Sequence, residues 1–265
     1  MEHPVERDGQ RLAVLDEGDG AAIVGLHGLS ATRRYVLMGS RLPQRSGRRV
    51  AVFDARGHGA SSPAPARDYS YEAMTADLEA VLDELGIGSA VLAGVSMGAH
   101  TAARMAIERP RRVAGLLLVT PAFDPQADAL RLGRWDSLSA ALRAGGIDAF
   151  VCALELARLP QSVRETVERS VRQRMAGHDD LGAVADALSL VPRSRPFESW
   201  AQLAAIGVPA VVVGSRDEAD PEHPLATARR YAQEIPGARL VVEEDGRSPI
   251  AWQGGQLARL LLELT

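Results

Sequence analysis

Lysine is absent from this sequence of 265 residues, so all 30 of its basic residues are arginine. Without lysine, neither Schiff-base chemistry nor an active-site amine of lowered pKa is available. Cysteine occurs once, at Cys152, which excludes an internal disulfide and a thiolate metal cluster. We therefore expect a reduced thiol in a cytoplasmic protein.

The sequence also has no dense basic stripe and no run of about 18 apolar residues. With a net charge of −4, nucleic-acid binding and membrane spanning are not expected. The first residues, MEHPVERDGQRL, are charged and lack the apolar core of a signal peptide; we place His3 in a mobile tail. Neither metal-ligand spacing nor a dinucleotide fingerprint occurs, so no metal or other cofactor is expected.

What is present is an alternation of strand-like and helix-like segments. Short runs rich in Val, Ile and Leu predict strands at 21–26, 50–54, 90–95, 113–119, 209–213 and 239–242. Amphipathic segments between them predict helices at 71–86, 97–109, 224–234 and 250–264. Residues 11–16 can add an antiparallel edge. The pattern predicts an α/β fold with a mostly parallel, doubly wound sheet.

One region interrupts this alternation. Residues 124–203 contain no convincing strand and show helical periodicity in pieces, separated by Gly145-Gly146, Pro160 and VPRSRPF. We interpret them as a helical cap over the carboxyl ends of the strands, where open α/β sheets hold ligands. The core is then formed by residues 1–123 and 204–265, and core and cap together make one functional unit.

The segment Gly94-Val95-Ser96-Met97-Gly98 carries the strongest chemical signal. It follows the apolar run AVLAG and opens the helix MGAHTAARMAIE, so G-x-S-x-G stands in the strand, sharp turn and helix that this motif requires. The glycines let the turn close, and the Ser96 hydroxyl is held near a helix N-terminus that favours developing negative charge. We predict that Ser96 is a nucleophile.

Two further motifs agree with it. His27-Gly28-Leu29 follows one predicted strand, and Asp54-Ala55-Arg56-Gly57-His58-Gly59-Ala60-Ser61 follows the next. In this order the motifs resemble the α/β-hydrolase superfamily over nearly the whole chain, particularly its small bacterial esterases and enol-lactonase-like members. The resemblance implies an oxyanion hole formed by the backbone N–H groups of Leu29 and Met97. His27 and His58 lie within these signatures, and we interpret both as loop-stabilising.

The resemblance also implies a carboxylate after the strand PAVVV. That strand runs into Gly214-Ser215-Arg216-Asp217, so Asp217 is the first candidate for the acid that orients and stabilises an imidazolium. Asp220 in the same loop ranks second. Asp124, after the preceding strand, ranks third because some family members carry the acid there.

The expected histidine is missing. In the family it follows the last strand, but aligning this sequence by context puts Arg247 at that position. Arginine has a pKa above about 12 and cannot accept a proton at neutral pH. Beside Asp217, Arg247 is expected to form an ion pair that occupies the carboxylate.

Other histidines offer a displaced base. His223 is near Asp217 and Asp220 in sequence, although a polar loop residue is the simpler interpretation. His178, in the cap segment MAGHDD, can dip over the site from above. For His100, one helical turn after Ser96, packing is the better interpretation.

Three functions remain open. The first is a serine hydrolase of small carboxylic esters or lactones with a non-standard triad. The second is a lyase, isomerase or cyclase in which Arg247 binds an anionic substrate. The third is a degenerate hydrolase that binds a ligand without turnover. In each case we expect a small, partly apolar ligand; the sequence says nothing of oligomeric state. The candidate pocket-lining residues are Trp135, Phe150, Phe197 and Trp200.

Overall fold

A computed structural model describes residues 2–126, 132–216, 222–244 and 254–265. The strands found there are β1 (Glu2–Arg7), β2 (Gln10–Glu17), β3 (Ala22–Leu26), β4 (Arg49–Phe53), β5 (Ala90–Val95), β6 (Val113–Val119), β7 (Ala210–Gly214) and β8 (Arg239–Val242). They form one sheet of order β1-β2-β4-β3-β5-β6-β7-β8. β1 and β2 are antiparallel to their neighbours, and the other pairs are parallel. The predicted mostly parallel α/β sheet is confirmed.

Helices lie on both faces of this sheet. They are α1 (Leu42–Arg45), α2 (Tyr71–Glu84), α3 (Met97–Glu108), α4 (Leu132–Ala153), α5 (Gln161–Met175), α6 (Leu181–Leu190), α7 (Leu225–Glu234) and α8 (Gly254–Leu262). Leu92 and Leu116 face the layer of α2, α3 and α7, whereas Val91 and Leu117 face α8. Successive strand residues point to opposite faces, so central strands buried on both sides must be apolar throughout. Each fully buried leucine stabilises the fold by about 1.5–3 kcal/mol.

The N-terminal segment differs from the expected mobile tail. His3 lies in β1, where it pairs with Val14 of β2. The hairpin turns at Asp8 and Gly9, which both have positive φ, 49° and 80°. Two such residues form the turn whose twist matches a β-hairpin, and Asp-Gly is a preferred sequence for it. The charged residues on both sides of Asp8-Gly9 made this segment resemble a tail rather than a hairpin in the sequence.

Helices α4, α5 and α6, which we call the insertion helices, lie between β6 and β7 and have their own apolar cluster. It contains Leu142, Phe150, Met175 and Val184, among others. The later part of the predicted cap packs elsewhere, because Phe197 lies in the main core with α3 and α7. The division at residues 124 and 203 stays a prediction.

One stretch, Leu132–Arg158, has the length of a membrane span, with 27 residues and a mean hydropathy of 1.3. Its helix is broken, however, at Gly145 (φ −146°, ψ 22°) and Gly146 (φ 62°, ψ −149°). The pieces on either side are shorter than the roughly 20 residues that a spanning helix needs. Leu142 and Phe150 are buried against the other insertion helices.

A buried ion pair joins α2 to the loop after β4. The Arg56 guanidinium donates to both carboxylate oxygens of Asp77, with N–O distances of 2.8 and 2.7 Å. Both side chains are almost completely buried. The pair holds the loop that carries His58 and Gly59 against the core.

Asp77→Ala is expected to lower the free energy of unfolding by about 3–5 kcal/mol, because it leaves a guanidinium charge buried without a counter-ion. Urea unfolding measures this change. Asp83→Ala is the matched control on the same helix, since Asp83 is 62% exposed in its pair with Arg112. The control should cost less than about 1 kcal/mol, and equal losses in the two variants would contradict the prediction.

Candidate active site

Ser96 occupies a strained turn between β5 and α3, with φ 49° and ψ −111°. Its glycine neighbours explain why the turn can form. A Cβ on Gly98 would overlap the carbonyl oxygen of Leu26, and a Cβ on Gly94 would overlap the backbone of Gly98. Strain of this kind persists where the surroundings over-determine the backbone. The half-buried Ser96 hydroxyl is thereby presented at the carboxyl edge of the sheet.

His223 lies against this serine. Its Nε2 is 2.8 Å from Ser96 Oγ, a hydrogen-bonding distance. The imidazole is half-buried and stands just before α7, in the connection from β7. Of the two displaced histidines considered from sequence, the structure brings this one to Ser96. The simpler interpretation of His223 as a polar loop residue does not account for this contact.

The first two acid candidates, Asp217 and Asp220, lie outside the described residues, as does Arg247. Asp124 is described, and its carboxylate accepts the Gln126 N–H at 2.8 Å in a local turn. The predicted acid and the expected base position therefore stay predictions.

Glu243 was not predicted, yet it organises the start of the His223 loop. This buried side chain follows β8, and its Oε1 accepts from the Ser215 hydroxyl at 2.7 Å and the Arg216 N–H at 2.5 Å. It joins the end of β8 to the end of β7. The only signal in the sequence was its place directly after a strand, in an acidic turn.

The Gly28–Leu29 peptide is fixed through its carbonyl oxygen. Gly28 O accepts the Ala31 N–H at 3.0 Å and lies 2.8 Å from His27 Nδ1. Because the peptide is planar and trans, fixing the carbonyl also fixes the opposite direction of the Leu29 N–H. The second predicted donor, the Met97 N–H, is at the first residue of α3, where helical N–H groups lack intrahelical acceptors. Both N–H groups thus belong to backbone that is held next to the Ser96 turn, and the oxyanion hole that they would form stays a prediction.

His27 and His58 act within the loops, as interpreted from sequence. His27 Nε2 accepts the Ala55 N–H at 2.8 Å, so its Nδ1 carries the proton donated to Gly28 O. Burial lowers the pKa of His27 to about 4, and burial also holds the pKa of His58 well below its usual value. Both imidazoles are neutral at pH 7.

Both ring nitrogens of His178 contact backbone groups rather than Ser96. Its Nδ1 accepts the Gly59 N–H at 2.8 Å, and its Nε2 lies 3.2 Å from Ser30 O. With both nitrogens engaged by backbone, His178 is disfavoured as the base. It reaches from the turn between α5 and α6 onto the loops after β3 and β4, and its suggested role as a displaced base stays a prediction.

His100 packs beneath the turn that carries Ser96. Its Nε2 accepts the N–H groups of Ala122 and Phe123 at 2.9 and 3.0 Å, and its Nδ1 lies 2.8 Å from the Tyr71 hydroxyl. Burial lowers the pKa of His100 to about 3. It holds the loop after β6, in agreement with the packing interpretation.

Three of the four predicted pocket-lining aromatics are core residues, which corrects that expectation. Phe150 is buried among the insertion helices, and Phe197 and Trp200 pack edge-to-face with Tyr231 in the main core. Large aromatic rings stabilise a fold most where they are fully buried. Trp135 is the half-exposed member of the set.

An ion pair links the insertion helices to the segment that carries the histidine. Arg134 Nε, near the start of α4, lies 2.8 Å from a carboxylate oxygen of Glu222, the neighbour of His223. The described part of the chain brings no three histidine, cysteine or carboxylate side chains together as a metal site.

Comparisons with known proteins agree with the observed fold. A family model described as the alpha/beta hydrolase fold matches residues 21–254. The chain is 29% identical over 222 residues, 80% of each protein, to a putative 2-succinyl-6-hydroxy-2,4-cyclohexadiene-1-carboxylate synthase of Bacillus subtilis (strain 168).

Two further similarities involve ester and lactone enzymes. The sn-1-specific diacylglycerol lipase ABHD11 of Mus musculus is 35% identical over 161 residues, which cover 60% of this chain and 47% of the lipase. The match therefore spans about half the length of that relative. The solved structure of Est816, an N-acyl homoserine lactone degrading enzyme, aligns with a TM-score of 0.72 and 28% identity over 99% of this chain and 97% of its own.

The buried histidines make stability depend on pH. Below pH 6.5 an unfolded chain protonates its histidines, whereas folded His27 and His100, with pKa values of about 4 and 3, stay neutral. The unfolded state then binds more protons, so stability falls as the pH is lowered. Each of these two histidines is expected to remove about 2 kcal/mol between pH 7 and pH 5.

Urea unfolding at the two pH values measures this loss. His100→Gln is the internal test, because it removes one titrating group and should reduce the difference between pH 7 and pH 5 by about 2 kcal/mol, whatever its effect at pH 7. Equal native stability at pH 5 and pH 7 would contradict the assignment of neutral buried imidazoles.

Proposed function

The chain belongs to the α/β-hydrolase fold family, and we propose that within this family it is a serine hydrolase of small carboxylic esters or lactones. The observation that carries the proposal is the 2.8 Å distance between His223 Nε2 and Ser96 Oγ. A neutral imidazole at this distance can accept the hydroxyl proton as the serine attacks.

In the proposed reaction, Ser96 Oγ attacks the substrate carbonyl carbon while His223 Nε2 takes the serine proton. The carbonyl oxygen becomes an oxyanion that accepts hydrogen bonds from the Leu29 and Met97 N–H groups. The bond to the leaving oxygen then breaks, and His223 donates its proton to that oxygen. Water repeats the sequence on the acyl-serine, which releases the carboxylic acid and restores Ser96. Each oxyanion donor of this type is worth about 10²–10³ in kcat.

His223 would replace the histidine that related hydrolases carry after the last strand. Its imidazolium needs a carboxylate, and we assign this role to Asp217, with Asp220 second and Asp124 third. The local turn that occupies the Asp124 carboxylate supports its lower rank. Arg247 then needs no part in proton transfer.

A small, partly apolar substrate fits this proposal. Leu29 and Trp135 are half-buried side chains that pack against the cluster of the insertion helices. The single thiol, Cys152, is exposed, which favours the reducing cytoplasm as its compartment.

A non-hydrolytic reaction is the second candidate, and the similarity to the putative Bacillus synthase over 80% of both chains favours it. Ser96 would then donate a hydrogen bond, and Arg247 would bind an anionic carboxylate or enolate. The degenerate, non-catalytic interpretation is disfavoured by the contact between His223 and the strained Ser96.

A panel of short-chain nitrophenyl esters and lactones tests the proposal with the native protein, Ser96→Ala, His223→Ala and Arg247→His. We expect Ser96-dependent turnover, a loss of about 10³–10⁴ or more in kcat in His223→Ala, and little change in Arg247→His. His3→Ala, in β1, is the matched histidine control and should keep native kcat and KM.

Other outcomes separate the candidates. Native kcat in His223→Ala would mean that the base lies elsewhere. Turnover that appears only in Arg247→His would identify a hydrolase site lacking its base. If no ester or lactone is cleaved, the hydrolase proposal fails, and elimination from anionic substrates becomes the reaction to assay.

A further inference from the structure

Two histidines hold the backbone of Ser30, the residue after the proposed oxyanion donor Leu29. His58 Nε2 accepts the Ser30 N–H at 3.3 Å, and His178 Nε2 lies 3.2 Å from the Ser30 carbonyl oxygen. His58 belongs to the loop after β4. His178 belongs to the turn between α5 and α6, so its contact comes from the insertion helices.

The tautomer of His178 follows from its second contact. Its Nδ1 accepts the Gly59 N–H at 2.8 Å, so Nδ1 carries no proton and Nε2–H donates to Ser30 O. The adjacent Asp179 N–H donates to Gly59 O at 2.9 Å. One neutral imidazole therefore bridges two loops of the core.

Ser30 needs this support. Its φ of 59° is positive, a conformation that costs about 1–3 kcal/mol for a residue other than glycine and persists only when its surroundings fix it. The Leu29 side chain packs against the cluster of the insertion helices and against the cluster around Met97. Both the backbone and the side chain of this loop thus depend on where the insertion lies.

We propose that His178 is a positioning residue, through which the insertion helices hold the oxyanion loop in the geometry that aims the Leu29 N–H. The proposal rests on the proposed function, in which that N–H binds the oxyanion. His178 touches no reacting atom. Its donor bond to Ser30 is the part that matters for catalysis, and its acceptor bond to Gly59 anchors the ring.

Two substitutions separate these bonds. In His178→Gln the amide nitrogen can take the place of Nε2 and keep the donor to Ser30. In His178→Asn the amide oxygen can take the place of Nδ1, which keeps the acceptor for Gly59 and loses that donor. His178→Ala loses both bonds. Gln173→Ala, on the exposed face of α5, is the matched control.

The first measurement is amide hydrogen exchange of the segment 28–31, which needs no turnover. We expect exchange at Ser30 and Ala31 to accelerate about tenfold in His178→Ala and His178→Asn, and to stay near native in His178→Gln and Gln173→Ala. Unchanged exchange in all variants would overturn the positioning role, whatever the activity.

The second measurement is kcat per active site, with sites titrated by the nitrophenyl burst. We expect His178→Ala and His178→Asn to lose about tenfold in kcat, with KM within twofold and a parallel loss of affinity for a trifluoromethyl ketone, which needs the oxyanion hole. His178→Gln should recover most of kcat. A lower titre with native kcat per site would reduce His178 to a folding role and overturn the proposal.

The two measurements also distinguish a failure of the proposed hydrolase function from a failure of the proposed role of His178. A native protein without Ser96-dependent turnover overturns the proposed hydrolase and the catalytic consequence of His178 together. Exchange then still decides whether His178 holds the loop. Faster exchange with unchanged kcat in His178→Asn would overturn the link between this loop and the oxyanion.

Discussion

The close packing of the Ser96 turn against the end of β3 is the constraint on which the site depends. Gly98 has no room for a Cβ, which would overlap the Leu26 carbonyl oxygen and lie 2.8 Å from the His27 carbonyl oxygen. The backbone of the Ser96 turn and the backbone at the end of β3 therefore touch directly. Because the contact is between backbones, the position of Ser96 relative to the loop after β3 is set by the fold itself rather than by side-chain contacts.

The histidines show how environment divides one residue type into different roles. His27, His58 and His100 are buried, bonded to backbone N–H groups and kept neutral by burial. Each holds a loop at the carboxyl edge of the sheet. His223 is half-buried, and its Nε2 faces the Ser96 hydroxyl. A neutral ring that accepts one backbone N–H loses that bond whenever it is protonated, so His27, His58 and His100 are suited to holding loops rather than to exchanging protons.

Much of the fold was predictable, because runs of Val, Ile and Leu mark strands buried on both faces and G-x-S-x-G marks the turn between strand and helix. The hairpin at Asp8-Gly9 was missed although its turn sequence was present. The aromatic pair Phe197 and Trp200 was assigned to the pocket because sequence distance does not report which layer a ring enters. The contact of His223 with Ser96 was only one alternative, since the path of an irregular loop depends on tertiary contacts and not on periodicity.

A base on the loop after β7 is physically equivalent to one on the loop after β8. The two strands are parallel neighbours, so their carboxyl ends lie at the same edge of the sheet, about 5 Å apart. Glu243 binds the Ser215 hydroxyl and the Arg216 N–H across this gap, so the end of β8 shapes the start of the loop that delivers His223. Proton transfer requires hydrogen-bond reach and a suitable tautomer, and chain order enters neither requirement. A histidine on either loop can therefore meet the requirement of the proposed reaction without any change in the position of the serine or of the sheet.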